Sequence, residues 1–404
     1  MGKYSMSDHP LVDEAIDNCI SEIVSHFCPR SIILTGSFGR GEASFIDEED
    51  RVRWLSDCEM LILSDRPLPK SKIRPLLSSL STKTGINIVG SGSFLLRLYC
   101  WVPIPPPLWR LVWKPSIPRY ELKHGSTVVF GENILERIPD IKVSDIPLWE
   151  GIRLMLNRMA GALEYFPLAH TGAPRLESIY RITKVILASQ DALLLSLRRY
   201  HPSYEARNTM FQELFLHRFG ELGEKLPRFA DLATKATAFK LRPEKNAYPG
   251  DLMELWFDAS DVCDLVFRHV IDRDMNFTFD TYAEFGAKYL GHPKLSKYYL
   301  GVIPVPVLQN CITALKMMKS QSYRFPSTRL LASFGTMWKH VVYSVVPLVY
   351  FGVSRQGVTG EGRIRHARET IALFKSLTSP APDTVDEWRY LREQVTDLWH
   401  KVVY

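Results

Sequence analysis

Cysteine is scarce and unpatterned in this chain. Six occur in 404 residues, at positions 19, 28, 58, 100, 263 and 311, with no Cys-x-x-Cys pair and no nearby His at zinc-finger spacing. This excludes a disulfide-framed module and a zinc finger, and reduced, mostly buried thiols are expected. Long hydrophobic runs are missing too. The most apolar stretches, 94–113 and 341–353, are broken by Arg97, by Pro103 and Pro105 to Pro107, and by Pro347. Neither offers the roughly 20 uninterrupted apolar residues of a membrane span, so no membrane partner is expected. There is no internal repeat and no low-complexity tract. Residues 1–13 contain no basic segment followed by an apolar run, so a cytoplasmic address is expected.

What is present is the composition of a folded protein, 46% hydrophobic and 23% charged. The length is too great for one ordinary core and suits two or three domains. The formal charge of +6 is unevenly spread. Residues 301–370 hold nine Lys or Arg against two Glu, a net +7, so the rest of the chain sums to −1.

Hydrophobic periodicity divides the chain. Leu11, Val12, Ala15, Ile16, Cys19, Ile20, Ile23, Val24 and Phe27 recur at helical spacing over 8–27, and Pro29 ends the run. Ser31 to Thr35 is a β-branched apolar run stopped by Gly36, and Cys58 to Leu63 reads as a second strand. A short helix is expected over 69–82, and further strands over 86–99 and 126–130. After Pro147, patterns with apolar residues three and four apart take over, at 148–166, 176–200, 251–271 and 305–318. The expected class is α+β, an N-terminal α/β domain over 1–135 followed by an all-helical region divided into 148–290 and a basic C-terminal domain over 300–404.

The chemistry is concentrated in Leu34-Thr-Gly-Ser-Phe-Gly-Arg-Gly-Glu42 and Ser56-Asp-Cys-Glu-Met-Leu-Ile-Leu63. Glycines at 36, 39 and 41 let the backbone turn sharply after a strand, freeing amides and the Ser37 hydroxyl to hold an anion such as a triphosphate. The two-residue period of a strand puts Asp57 and Glu59 on one face and Cys58 and Met60 on the other. Two carboxylates beside a phosphate cradle suit Mg2+ or Mn2+, hard cations that favour oxygen ligands. Arg40 either steadies a phosphate or is a solvated loop arginine, and Asp47 to Asp50 reads as a surface charge run.

Gly36-Ser37 followed by Asp57-x-Glu59 resembles the signature of the nucleotidyltransferase superfamily. Its members share a DNA polymerase β-like fold and include aminoglycoside nucleotidyltransferases, poly(A) and CCA-adding enzymes, and minimal nucleotidyltransferases. The resemblance implies transfer of a nucleoside monophosphate from an NTP to a hydroxyl with release of pyrophosphate. Gly36 and Ser37 would bind the triphosphate, and Asp57 and Glu59 the metal. Glu121 to Gly131 is similar to the closing turn and last strand of the minimal type. Tyr180 to Ala188 is similar to the helical domain of the aminoglycoside type, where Lys184 would reach the nucleotide phosphates. The chain departs from the family twice. Ser37 and Asp57 stand 20 residues apart, a longer interval than the family's, and the strand expected over 86–99 lacks any Asp or Glu. Glu121 is the nearest substitute for the third carboxylate.

In the basic 301–370 segment, Tyr323, Phe325, Trp338, Tyr343 and Tyr350 are interleaved with the charges. That mixture fits either an RNA surface that stacks bases or a helical domain with core aromatics. The expected function is a metal-dependent nucleotidyltransferase with NTP as substrate and RNA, a small molecule or a protein as acceptor. The alternatives are a catalytically silent nucleotide- or RNA-binding relative, and AMP transfer onto a protein side chain.

Overall fold

The computed structural model describes residues 2–6, 9–48, 51–65, 68–91, 114–167, 175–292, 338–355, 357–358, 361–372 and 385–403. The fold is mixed α+β with helix predominating. The chain forms two compact units, the first built from 1–150 and 194–249, the second from 151–193 and 250–404. The segment 148–290 contributes to both units, and 300–404 falls within the second.

In the first unit, helix α1 (Pro10–Phe27) has Pro10 in its first turn and ends at Cys28, which adopts the left-handed conformation at φ 43°. Strand β1 (Ser31–Thr35) follows, then the helical turn α2 (Gly36–Gly39). Strands β2 (Phe45–Glu48) and β3 (Arg51–Trp54) form an antiparallel hairpin. Asp47 and Glu48 of the acidic stretch close the first of these strands. Strand β4 (Cys58–Leu63), helix α3 (Lys70–Thr84), strand β5 (Ile88–Ser91), helix α4 (Ile117–His124) and strand β6 (Thr127–Gly131) complete the α/β part. Of the strand expected over 86–99, residues 92–99 lie outside the described residues.

The main sheet has the order β5-β4-β1-β6. Strand β1 pairs antiparallel with β4 and β6, while β4 and β5 run parallel. One sheet face, carrying Ile32, Leu34, Met60, Ile62 and Ile88, is sealed by Ile16, Cys19, Ile20 and Ile23 of α1 and by Ile73, Leu77 and Leu80 of α3. Burying such side chains stabilises by about 1.5–3 kcal/mol each, so this layer is the rigid platform of the unit. Helices α7 (Tyr204–Arg218), α8 (Gly220–Lys225) and α9 (Phe229–Leu241) belong to the same unit. Phe211 and Phe215 of α7 pack on Phe229 of α9, with ring centres 4.8 to 5.3 Å apart.

The second unit contains α5 (Trp149–Glu164), most of α6 (Arg175–Ser196), α10 (Leu252–Met275), α11 (Tyr282–Leu290), α12 (Trp338–Tyr350), α13 (Glu361–Ala372) and α14 (Val385–Val403). A two-residue ladder between Val353–Ser354 and Gly357–Val358 interrupts the otherwise helical pattern. Its core is aromatic: Phe166 lies edge-on to Trp256 at 4.6 Å and to Trp388 at 4.7 Å, and Trp256 sits 4.7 Å from Tyr350. Among the described residues no helix is long and apolar enough to cross a membrane. The helix expected over 305–318 lies outside the described residues.

Candidate functional site

The turn at the end of β1 is shaped by two glycines. Gly36 has φ +61°, and a Cβ there would sit 3.2 Å from Glu59 Oε2. Gly39 has no room at all, since its Cβ would fall 2.4 Å from the Leu34 carbonyl oxygen and 3.0 Å from that of Gly125. The turn therefore packs directly on the acidic strand. Register pairs Thr35 with Glu59, and Thr35 Oγ1 donates to Glu59 Oε2 at 3.2 Å.

Asp57 and Glu59 are exposed, and Cys58 and Met60 between and beyond them are buried. The two carboxylates share the open face of the sheet. Burial pushes the Cys58 thiol up, so it stays a neutral core residue. On the neighbouring parallel strand the register sets Ile88 beside Cys58 and Val89 beside Glu59. Asn87 Nδ2 donates to Asp57 Oδ1 at 2.9 Å, and Val89 is 49% exposed. An amide and an apolar side chain thus flank the acidic pair. Among the described residues no group of three or more His, Cys, Asp or Glu side chains comes together to hold a metal. The pair Asp57 and Glu59 still fits Mg2+, which is commonly held by one or two carboxylates with water and phosphate oxygens completing its shell.

The long interval between Ser37 and Asp57 is taken up by the hairpin. Leu55 N and Ser56 N donate to the Ser44 carbonyl at 3.0 and 3.2 Å, and Ser44 N donates to Ser56 Oγ at 2.9 Å. Strands β2 and β3 are pinched off at this neck. The Trp54 ring lies 5.7 Å from Phe38 and from Phe45.

Behind the turn lies a residue that sequence reading missed. Lys240, in the last turn of α9, is 1% exposed. Its Nζ donates to Ser44 Oγ at 2.6 Å, to Ser37 Oγ and the Glu42 carbonyl at 3.2 Å, and to Ser56 Oγ at 3.4 Å. Ser44 Oγ in turn donates to the Lys240 carbonyl at 2.5 Å. A signal did exist in the sequence, a lysine set between Phe239 and Leu241, both of which are buried. Its partners are about two hundred positions away, and no local pattern names them.

Arg40 is not a solvated loop residue. Its side chain is 6% exposed, Nε donates to Glu42 Oε2 at 2.9 Å, and Nη1 lies 3.6 Å from Glu121 Oε2. Burial alone would lower its pKa, but Glu121, Tyr204 and Glu42 outweigh that and hold the guanidinium firmly charged. Glu121 also accepts from Tyr200 OH at 2.6 Å, and Arg207 Nη1 donates to the same hydroxyl at 2.9 Å. Glu42 Oε1 accepts from the Tyr204 amide at 2.9 Å. Arg40 and Glu121 thus meet in an ion-pair network that fastens the turn to the segment 200–207. Lys184 belongs to the second unit, where its Nζ lies 4.2 Å from the centre of the Tyr180 ring.

In the basic segment, Tyr343 and Tyr350 are 1% and 0% exposed, and Tyr343 OH donates to Asn157 Oδ1 at 2.8 Å. These two rings are core residues. Arg355 is spoken for by Asp261, Asp258 and Glu254 at 2.6, 3.1 and 3.4 Å. Residues 301–337, including Tyr323 and Phe325, lie outside the described residues. No family model, no curated protein and no solved structure matches this chain.

Proposed function

We propose that the chain is a metal-dependent nucleotidyltransferase acting from its first unit. The observation that carries this reading is the contact between the glycine turn and the acidic strand: Gly36 lacks a side chain where Glu59 Oε2 needs the space, and Thr35 Oγ1 donates to the same oxygen. An anion seated on the turn would lie beside the carboxylate pair. In this reading Ser37 donates its hydroxyl to the triphosphate, while Asp57 and Glu59 hold the divalent ion. That ion would offset phosphate charge and favour attack by an acceptor hydroxyl on the α-phosphorus. Asn87 holds Asp57 in orientation just before β4, and the core face behind β4 supports the strand that carries Glu59.

The test is incubation of the purified chain with each α-labelled NTP, Mg2+ or Mn2+, and total cellular RNA, beside Asp57→Ala with Glu59→Ala. Label entering RNA and vanishing in the variant supports the reading with RNA as acceptor. Label entering protein supports transfer of AMP to a side chain. Turnover unchanged in the double variant refutes the mechanism.

A second reading rests on Asn87 and Val89, the neutral side chains flanking the acidic pair. A site without a third carboxylate beside that pair binds nucleotide but transfers nothing, and the chain then acts as a nucleotide sensor or partner protein. Calorimetry with a non-hydrolysable NTP in Mg2+, set against the labelling assay, separates the two.

A further inference from the structure

We infer that Lys240 is a positioning residue for anion binding at the glycine turn and acts through the Ser37 hydroxyl. The inference rests on the nucleotide reading above and adds a residue that the motif does not contain. A lysine amine that is 1% exposed does not reach a bound phosphate itself. As an ammonium it has three donors and no acceptor capacity, so the four oxygens around it can only accept, one N–H being shared between two of them. Ser37 Oγ therefore spends a lone pair on Lys240 at 3.2 Å, and its own hydroxyl proton is left to point toward another acceptor. Ser37 is thereby set as a donor, the role an anion site requires. An ammonium behind the oxygen polarises the Ser37 hydroxyl and strengthens that donation, as hydrogen bonds in a chain polarise one another.

The same amine fixes the place of the turn as well as its hydrogen-bonding sense. Ser44 and Ser56 form the neck of the hairpin, and both accept from Nζ, as does the Glu42 carbonyl. With Ser44 donating back to the Lys240 carbonyl, α9 is bolted to both ends of the excursion between Ser37 and Asp57. One side chain thus sets the separation between the hydroxyl of the cradle and the start of the acidic strand.

The test is a double-mutant cycle read by calorimetry on the full chain, with magnesium tripolyphosphate and with ATP in Mg2+, using Lys240→Met, Ser37→Ala, both together, and Asp57→Ala. Ser37→Ala is expected to weaken binding about tenfold, the value of one hydrogen bond to a charged group. Lys240→Met should weaken it by a similar factor, and the double variant should bind no more weakly than the poorer single variant. Should Lys240→Met not fold, Lys240→Gln takes its place in the cycle. Affinity unchanged in the Lys240 variant, or losses that multiply in the double variant, overturns the inference. Hydrogen exchange of the amides of residues 36–43 gives a readout without ligand: exchange should quicken in the Lys240 variant, and unchanged exchange also overturns it. Binding by the unmodified chain that is lost in Asp57→Ala but kept in Lys240→Met leaves the nucleotide reading standing and removes only the role of Lys240. No binding by the unmodified chain overturns both.

Discussion

Substituting alanine separately at Gly36 and Gly39 separates the fold of the turn from its chemistry. At Gly36 the φ of +61° places an L-residue in the left-handed region, which costs about 1–2 kcal/mol. The added Cβ meets only the end of the Glu59 side chain at 3.2 Å, and that carboxylate can swing aside. The stability loss should therefore stay near about 1–2 kcal/mol, roughly 2–8 °C in Tm for a unit of this size. Glu59 would be displaced, so metal and nucleotide binding should fall by more than the stability loss accounts for. At Gly39 the Cβ meets backbone, the Leu34 carbonyl oxygen at 2.4 Å and that of Gly125 at 3.0 Å. Strand and turn must move apart, and the loss should be about 3 kcal/mol or more. Urea unfolding gives the stabilities, and Mn2+ titration of each folded variant gives the site. In a Glu59→Ala background Gly36→Ala should retain its stability cost but lose its extra effect on metal. If Gly36→Ala destabilised more than Gly39→Ala, or left Mn2+ affinity untouched, the packing of the turn against Glu59 would be refuted.

Three further expectations follow from other contacts. Asn87→Asp would set a second carboxylate within hydrogen-bond distance of Asp57; it should lower Tm without metal and raise the stabilisation given by Mn2+, whereas a Tm shift indifferent to Mn2+ would count against a metal there. Burial, reinforced by Lys339, lowers the His340 pKa from 6.5 to about 4. The unfolded chain then binds the proton first, so the stability of the second unit should be full above pH 6.5 and decline as pH falls toward 4. At about 1.4 kcal/mol for each pH unit between those values, the loss is at most about 3.5 kcal/mol, and His340→Phe should flatten the profile. Arg355, 43% exposed among three carboxylates, should cost under about 1 kcal/mol on change to alanine, a loss erased by 1 M salt. A larger, salt-insensitive loss would mean that the cluster is a buried anchor.

Local pattern carried much of the first unit. Strands Ser31–Thr35 and Cys58–Leu63 fall where β-branched runs and turn residues put them, and Pro10 and Pro29 bracket the first helix. The alternation of Asp57 and Glu59 with Cys58 and Met60 follows from the period of a strand, which is a property of the backbone itself. The hairpin Phe45–Trp54 was not legible, because its stability comes from Trp54 closing over Phe38 and Phe45 and not from strand propensity.

The helices and main-sheet strands, the glycine turn and the acidic pair follow from interactions within a few residues, whereas the hairpin does not. Tertiary structure alone decided which side chains stand around them. Lys240 reaches Ser37 across 203 positions, Tyr200 reaches Glu121 across 79, and Arg40 finds Glu121 across the fold. Such pairs form because a buried ammonium, guanidinium or carboxylate must find partners or be expelled, and the partners available are fixed by how the helices pack.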